Sequence, residues 1–303
     1  MQDKLVLATR GSRLALTQSE WVRDELCRLN PGLQVELLLV KTTGDKVQDV
    51  PLQDVGGKGL FTKEIEEALL DGRAQLAVHS LKDLPTDLPE ELGLAALTER
   101  ADPRDVLVCR QAAGLDELPQ GSLVGTSSLR RSAQLAHCRP DLRFEPIRGN
   151  VETRLAKLMR GEFDAIVLAG AGLLRLGLAD RITQWLPTTM SLPAAGQGII
   201  GIETRLDDAA TIALLQSINS ADSQTCALAE RAALAHLGGG CQTPIGLLAQ
   251  VEGETCTVAG VLAHPSGNPC YRATAHGSTT EAEAVGRRVA EELLAQGAEL
   301  LAP

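Results

Sequence analysis

The chain has 303 residues, a length that fits about two domains of ordinary size or three small ones. At 44% hydrophobic and only 2% aromatic, it must build its cores from Leu, Val, Ile and Ala. A net charge of −10 and a pI of about 5.1 argue against the basic surface that nucleic acid requires, and the scarcity of aromatic rings argues against base stacking.

The N-terminal text MQDKLVLATRGSRLAL holds a short apolar run broken at once by Arg10 and Arg13, unlike a secretory leader. KLVLA reads as a strand, and Leu14 to Leu29 has helical periodicity behind a candidate cap at Ser12. QVELLLV is a strand, LFTKEIEEALLDG a helix ending at Gly72, and AQLAVHS another strand. The stretch KTTGDKVQDVPLQDVGGKG at 41–59 is polar and Gly-rich, the composition of a binding loop or lid. The alternation resumes with SLVGTS, a helix from about Leu129 to Cys138, LRFEPI, the helix VETRLAKLMRG and the strand DAIVLAG. That last apolar run stops at Arg175, short of the roughly 18 residues of a membrane span. SLPAAGQG at 191–198 reads as a linker or hinge. Strands separated by helices mean βαβ units in sheets covered on both faces. Residues 246–276 read instead as two or three successive strands, followed by the amphipathic helix TEAEAVGRRVAEELLAQG, so a separate α+β domain is expected from about Ala221. VLATRGSRLALTQ and LVGTSSLRRSAQ echo one another as strand, Thr, small polar residues, Arg and helix, which suggests two similar lobes.

Seven scattered cysteines with no C-x-x-C are the pattern of free thiols in a reducing cytosol, so a cytoplasmic protein with no membrane partner is expected. The five histidines form no close pair at ligand spacing, and no metal is expected. Gly196, Gly198 and Gly201 fit G-x-G-x-x-G, but MSLPAA precedes them and the strand-like IIGIETR follows, so the dinucleotide context is missing. GGKG at 56–59 lacks the other residues of a P-loop, and G-x-S-x-G is absent.

Arg10, Arg13, Lys58, Lys82, Arg130, Arg131, Arg148 and Arg154 fall in or just after strand ends, where open α/β sheets bind ligands. Singly each reads as a solvated surface charge. Together, in an acidic protein, they read as a polyanion-binding cleft, because helix N-termini and arginine forks both suit carboxylate oxygens. Asp83, in AVHSLKDLP, follows a strand and precedes a proline; it is either a turn residue or a carboxylate held rigidly where it could stabilise a positive charge. Cys241, in AHLGGGCQTPIG, differs from the other six cysteines, which read as buried small hydrophobes. Three glycines hold its sulfur where a large group can reach it, as an attachment point or as a nucleophile.

Eight motifs in one order, ATRGSRLAL, VGGKGLFTKEIE, AVHSLKDLP, ERADPRDVLV, VGTSSLRRSAQL, RGNVETRL, SLPAAGQGIIGIE and GGGCQTPIG, span nearly the whole chain, which through them resembles the porphobilinogen deaminase (hydroxymethylbilane synthase) family. The resemblance implies two α/β lobes like those of periplasmic binding proteins plus a smaller α+β C-terminal domain: 1–100 with a return at 195–217, 101–194, and 221–303. It implies a dipyrromethane cofactor joined to Cys241 by a thioether, and the condensation of four porphobilinogen molecules with loss of ammonia. Asp83 matches the family's catalytic aspartate. Ser12, Lys82, Thr126, Ser128, Arg130, Arg131 and Arg148, with Asp83, would hold the cofactor, and Arg10, Arg148 and Arg154 the substrate carboxylates. Lys58 would belong to a mobile loop, and the family suggests a monomer. Arg13 stands where many members have proline, and Gly238 lengthens the family's Gly-Gly-Cys core by one residue. Two other readings of the same residues are a non-enzymatic anion-binding protein, which predicts a secretion signal, and a cysteine acyl transferase, which needs a histidine base.

Overall fold

The computed structural model describes residues 4–46, 62–238 and 243–301. In chain order the elements begin with β1 (Lys4–Arg10), α1 (Arg13–Leu29), β2 (Gln34–Val40), α2 (Thr43–Lys46), α3 (Lys63–Leu70), β3 (Leu76–Ser80) and β4 (Leu92–Leu97). There follow β5 (Asp105–Cys109), β6 (Leu123–Gly125), α4 (Leu129–Cys138), β7 (Arg143–Glu145), α5 (Val151–Met159), β8 (Ala165–Ala169), α6 (Gly170–Arg175) and β9 (Gln184–Trp185). The last third holds β10 (Ile200–Arg205), α7 (Ala209–Leu215), α8 (Ala221–His236), β11 (Ile245–Glu252), β12 (Thr255–Ala263), β13 (Cys270–Ser278) and α9 (Ala282–Gly297). Contacts divide the chain into two compact units, Met1–Arg100 with Ile199–Gln224, and Ala101–Gly198 with Thr225–Pro303.

The first unit is built on a sheet of order β2-β1-β3-β10-β4. Alternation along β1 sends Leu5 and Leu7 to the α1 side, where they meet Val22 and Leu26, and Ala8 to the α3 side, with Ile65, Ala68 and Leu69. α1 starts because the Ser12 hydroxyl accepts from the Ala15 N–H, and it packs because Gln18, Val22 and Leu26 recur every four residues and are buried. Full burial of each large aliphatic side chain contributes about 1.5–3 kcal/mol, and Leu26→Ala would cost about 2–5 kcal/mol.

The second unit carries a sheet of order β7-β6-β8-β5-β9. Strand for strand it repeats the first. β1 and β6 each lie parallel to both neighbours, and β10 and β5 each run antiparallel to both of theirs. The echoed motifs are therefore equivalent places, β1 turning into α1 and β6 turning into α4. The antiparallel member of each sheet departs from the all-parallel expectation of βαβ alternation. β4 and β5 were not expected as strands.

The same unit contains the three-stranded antiparallel sheet β11-β12-β13, with α8 and α9 contributing Ala229, Ala233, Val285, Val289 and Leu293 to its core. α9 lies against α8 at Gly286, where a Cβ would collide with the Ala229 carbonyl, so only glycine permits that approach. The segment 191–198 is not an exposed linker. Ser191, Leu192 and Gln197 are buried, the Gly196 N–H donates to Glu230 at 2.6 Å, and the Glu230 carboxylate also accepts from the Ala249 N–H. Among the other cysteines only Cys226 and Cys256 are buried; Cys27, Cys109 and Cys270 are half-buried, and Cys138, the last residue of α4, is exposed.

Candidate active site

A pocket of about 460 Å³, counting its open mouth, lies at the carboxyl ends of β1 and β3 in the first unit, walled by Arg10, Ser12, Gln18, His79, Ser80 and Asp83. Arg10 is the last residue of β1, and the turn into α1 is fixed by the buried hydrogen bond from the Ser19 hydroxyl to Thr9 Oγ1 at 2.7 Å. Gln18 and Ser80 exchange two hydrogen bonds, of 3.0 and 3.2 Å, tying α1 to the end of β3. β3 then passes into a single 3₁₀ turn, Leu81–Asp83, anchored by the buried Leu81, whose N–H donates to the Ile199 carbonyl at 3.0 Å. Lys82 is half-buried and Asp83 is exposed on this turn, and Asp83 has no hydrogen-bond or ion-pair partner among the described residues. At the back of the pocket His79 Nε2 lies 3.0 Å from the Glu203 carboxylate, both groups buried.

In the second unit Thr126 follows β6, and its hydroxyl accepts from the Ser128 N–H at 3.2 Å where α4 begins. Arg130 and Arg131 are buried and both point at Asp105 on β5. Arg130 Nη1 reaches Oδ2 at 2.7 Å, and Arg131 reaches Oδ1 from Nε and Nη2. Ser191 and Gln197 complete the shell of that carboxylate, at 2.9 Å each. Burial alone would raise the Asp105 carboxyl, but the two guanidiniums outweigh it and hold it far below the usual carboxylate range. Arg130 and Arg131, candidate cleft cations, are both met by a carboxylate of the chain itself, because β5 delivers Asp105 beneath them. Two cations and one anion still leave a net positive charge of one.

Arg148, between β7 and α5, is half-buried with no ion pair or hydrogen bond among the described residues. Two residues on, Asn150 caps α5, accepting from the Thr153 N–H, and Arg154 Nε donates to the Gly149 carbonyl at 2.8 Å. Arg148 and Arg154 therefore flank one helix N-terminus. Arg175, in sequence only the end of an apolar run, is a further half-buried cation. Its guanidinium donates to the Gly198 carbonyl at 2.7 Å, and burial pushes its pKa down to about 10. Cys241 and Lys58 lie outside the described residues. Gly238 is described, and it has φ of +62° two residues past the end of α8, the left-handed position that favours glycine at a helix end, so the additional glycine terminates the helix that precedes Cys241 in sequence. No helix among the described residues is long and apolar enough to cross a membrane.

Residues 5–213 match the family model "Porphobilinogen deaminase, dipyromethane cofactor binding domain", and residues 224–295 match "Porphobilinogen deaminase, C-terminal domain". The porphobilinogen deaminase of Chromobacterium violaceum is 53% identical over 296 residues, covering 98% of this chain and 96% of that one. That of Geobacter metallireducens is 51% identical over 300 residues, covering 99% and 94%. Among solved structures, the methionine-binding protein MetQ aligns with 72% of this chain and 91% of its own at a TM-score of 0.46 and 15% identity. The matched ranges run through both units and include the positions of Asp83, Arg148 and Cys241: this chain belongs to the porphobilinogen deaminase family.

Proposed function

We propose that this chain is a hydroxymethylbilane synthase, which joins four porphobilinogen molecules head to tail with loss of ammonia. The observation that carries the proposal is the pairing of Asp83, an exposed carboxylate on a rigid turn, with Arg10 in one pocket. Porphobilinogen brings an acetate, a propionate and an aminomethyl group. Arg10 is placed to bind a carboxylate. Asp83 is placed to face the positive charge that grows on the pyrrole as the C–N bond breaks and its electrons leave with ammonia. A carboxylate held in place before the charge develops stabilises it without reorganising, an effect of about 3–4 kcal/mol per contact.

The side chains also suit a dipyrromethane. In the second unit Arg148, without a partner of its own among the described residues, and the net positive Asp105 triad beside Thr126 and Ser128 are candidate cationic groups for its carboxylates; in the first unit Ser12 and Lys82 are candidate donors, and Arg154 is a candidate for the substrate's carboxylates. Cys241 would hold it by a thioether. When bound, the group supplies a free pyrrole carbon as the nucleophile. We read the working protein as cytoplasmic and monomeric, with no nucleic-acid or membrane partner.

Intact mass followed by peptide mapping of residues 231–250 tests this reading. Two pyrrole units on Cys241, carried from expression or gained on incubation with porphobilinogen, support it. A Cys241 that stays unmodified after that incubation, with no ammonia released, overturns it.

A further inference from the structure

His79 and Glu203 have no part in the reading above, yet His79 lines the Asp83 pocket and Glu203 is its buried partner. β3 and β10 are antiparallel, with Ala77 opposite Glu203 and His79 opposite Gly201, so the two side chains emerge on the same face, the one covered by α3. His79 Nε2 and Glu203 Oε2 are 3.0 Å apart. Glu203 is fully buried, and its other oxygen, Oε1, has no hydrogen-bond partner among the described residues. Its single bond to His79 is therefore what compensates a buried carboxylate, a costly arrangement in a sheet that could carry apolar residues there.

A carboxylate can only accept, so Nε2 carries the proton that meets Glu203, and in the neutral ring Nδ1 is the nitrogen left with a lone pair. The charged and titratable groups around the ring are Glu203 on β10, Glu66 on α3, and Arg10 and Asp83 in the same pocket. Burial pushes the Glu66 carboxyl up, and the Glu203 charge adds to the rise.

We infer that His79 is an ammonium-recognising group in the pocket wall: Glu203, behind it, sets the tautomer, and His79 Nδ1 accepts a hydrogen bond from the substrate's aminomethyl group. The inference rests on porphobilinogen as substrate. A primary ammonium has three donors and no acceptor. Asp83 and the Ser80 hydroxyl offer oxygens in the same pocket, and Nδ1 adds a directional acceptor that a carboxylate-binding arginine cannot provide. His79 thereby discriminates for the amine end of the substrate while Arg10 serves a carboxylate end. Glu203 is a positioning residue, acting only through His79.

The test uses the holoenzyme and two inert pyrroles that keep the acetate and propionate: one with a methyl group in place of aminomethyl, the other with an aminoethyl group, which retains the ammonium. Both are titrated by calorimetry into wild type and Glu203→Gln. The amide of the variant can donate to Nε2, which moves the imidazole proton to Nδ1 and turns it towards the ammonium as a donor. Loss of one hydrogen bond to a charged group is expected to weaken the aminoethyl compound roughly 10-fold or more, with the methyl compound unchanged. His79→Phe removes the acceptor outright and should show the same selective loss if Glu203→Gln does not fold. A parallel loss for both compounds, or none for either, overturns the inference. Failure of both compounds to bind wild type overturns instead the choice of porphobilinogen as substrate, and the inference with it.

Discussion

Arg131 donates twice to one oxygen of Asp105, from Nε at 3.0 Å and from Nη2 at 2.7 Å, in a setting where both residues are buried. With Arg130 on the other oxygen, the carboxylate compensates two cations that have little water of their own. Asp105→Ala would strand both and should cost about 3–5 kcal/mol, measured by urea denaturation. A loss below about 1 kcal/mol would show the guanidiniums to be solvated after all.

The same triad has a signed pH dependence. Asp105 is held far below its ordinary value, so its contribution is fully present above the unfolded carboxyl pKa of about 3.9 and disappears as pH falls through the folded value. Acid titration of stability should therefore show a steep component below about pH 4 in wild type that is absent from Asp105→Asn.

Asp83 bears no structural burden: it is exposed and unpartnered among the described residues. Asp83→Ala should leave thermal stability within about 0.5 kcal/mol of wild type while turnover of porphobilinogen falls by roughly 10²-fold or more. Near-normal turnover would remove Asp83 from the chemistry.

Arg148→Ala likewise breaks no bond among the described residues. Unfolding should be unaffected, while the rate at which apoprotein gains the mass of two pyrroles from porphobilinogen should drop about tenfold or more, as for the loss of one charge-assisted contact. An unchanged loading rate would place the carboxylates elsewhere.

Two glycines separate conformation from crowding. At Gly238 a Cβ meets nothing within 4 Å and only φ of +62° opposes it, so Gly238→Ala should cost about 1–2 kcal/mol. At Gly286 a Cβ strikes the Ala229 backbone, so Gly286→Ala should lose more than that and alter the α8–α9 packing, visible as faster amide exchange in both helices.

Much of this was legible in the sequence because local physics decided it. Ser12 caps α1 as its position before an apolar-periodic run implies, and the repeated strand-Thr-Arg-helix text does mark equivalent places in two sheets of the same order. The exposed Asp83 sits on a turn and the half-buried Arg148 on the loop between β7 and α5, as text of that composition suggests. What stayed hidden is non-local. Nothing within DVLVC says that its Asp will lie under two arginines about 25 positions away, and LGLAAL is read as a strand only once its neighbour is known. SLPAAGQG has the composition of a linker, and it is buried because Glu230, Gln134 and Asp105 take up its backbone and amide groups from distant elements. His79 and Glu203 are 124 residues apart, and only the antiparallel return of β10 brings them together.

That return also sets an order of events during synthesis. β4 pairs in its sheet with β10 alone, yet Leu92–Leu97 leaves the ribosome more than a hundred residues before Ile200–Arg205. The nascent first unit must therefore wait, with β3 and β4 each lacking a neighbour, while the whole β5–β9 sheet is translated. Its open edges are a period of exposure in which a chaperone would find a strand-shaped vacancy. The second sheet is contiguous in sequence and has no such delay, so it is the part of this enzyme expected to fold first.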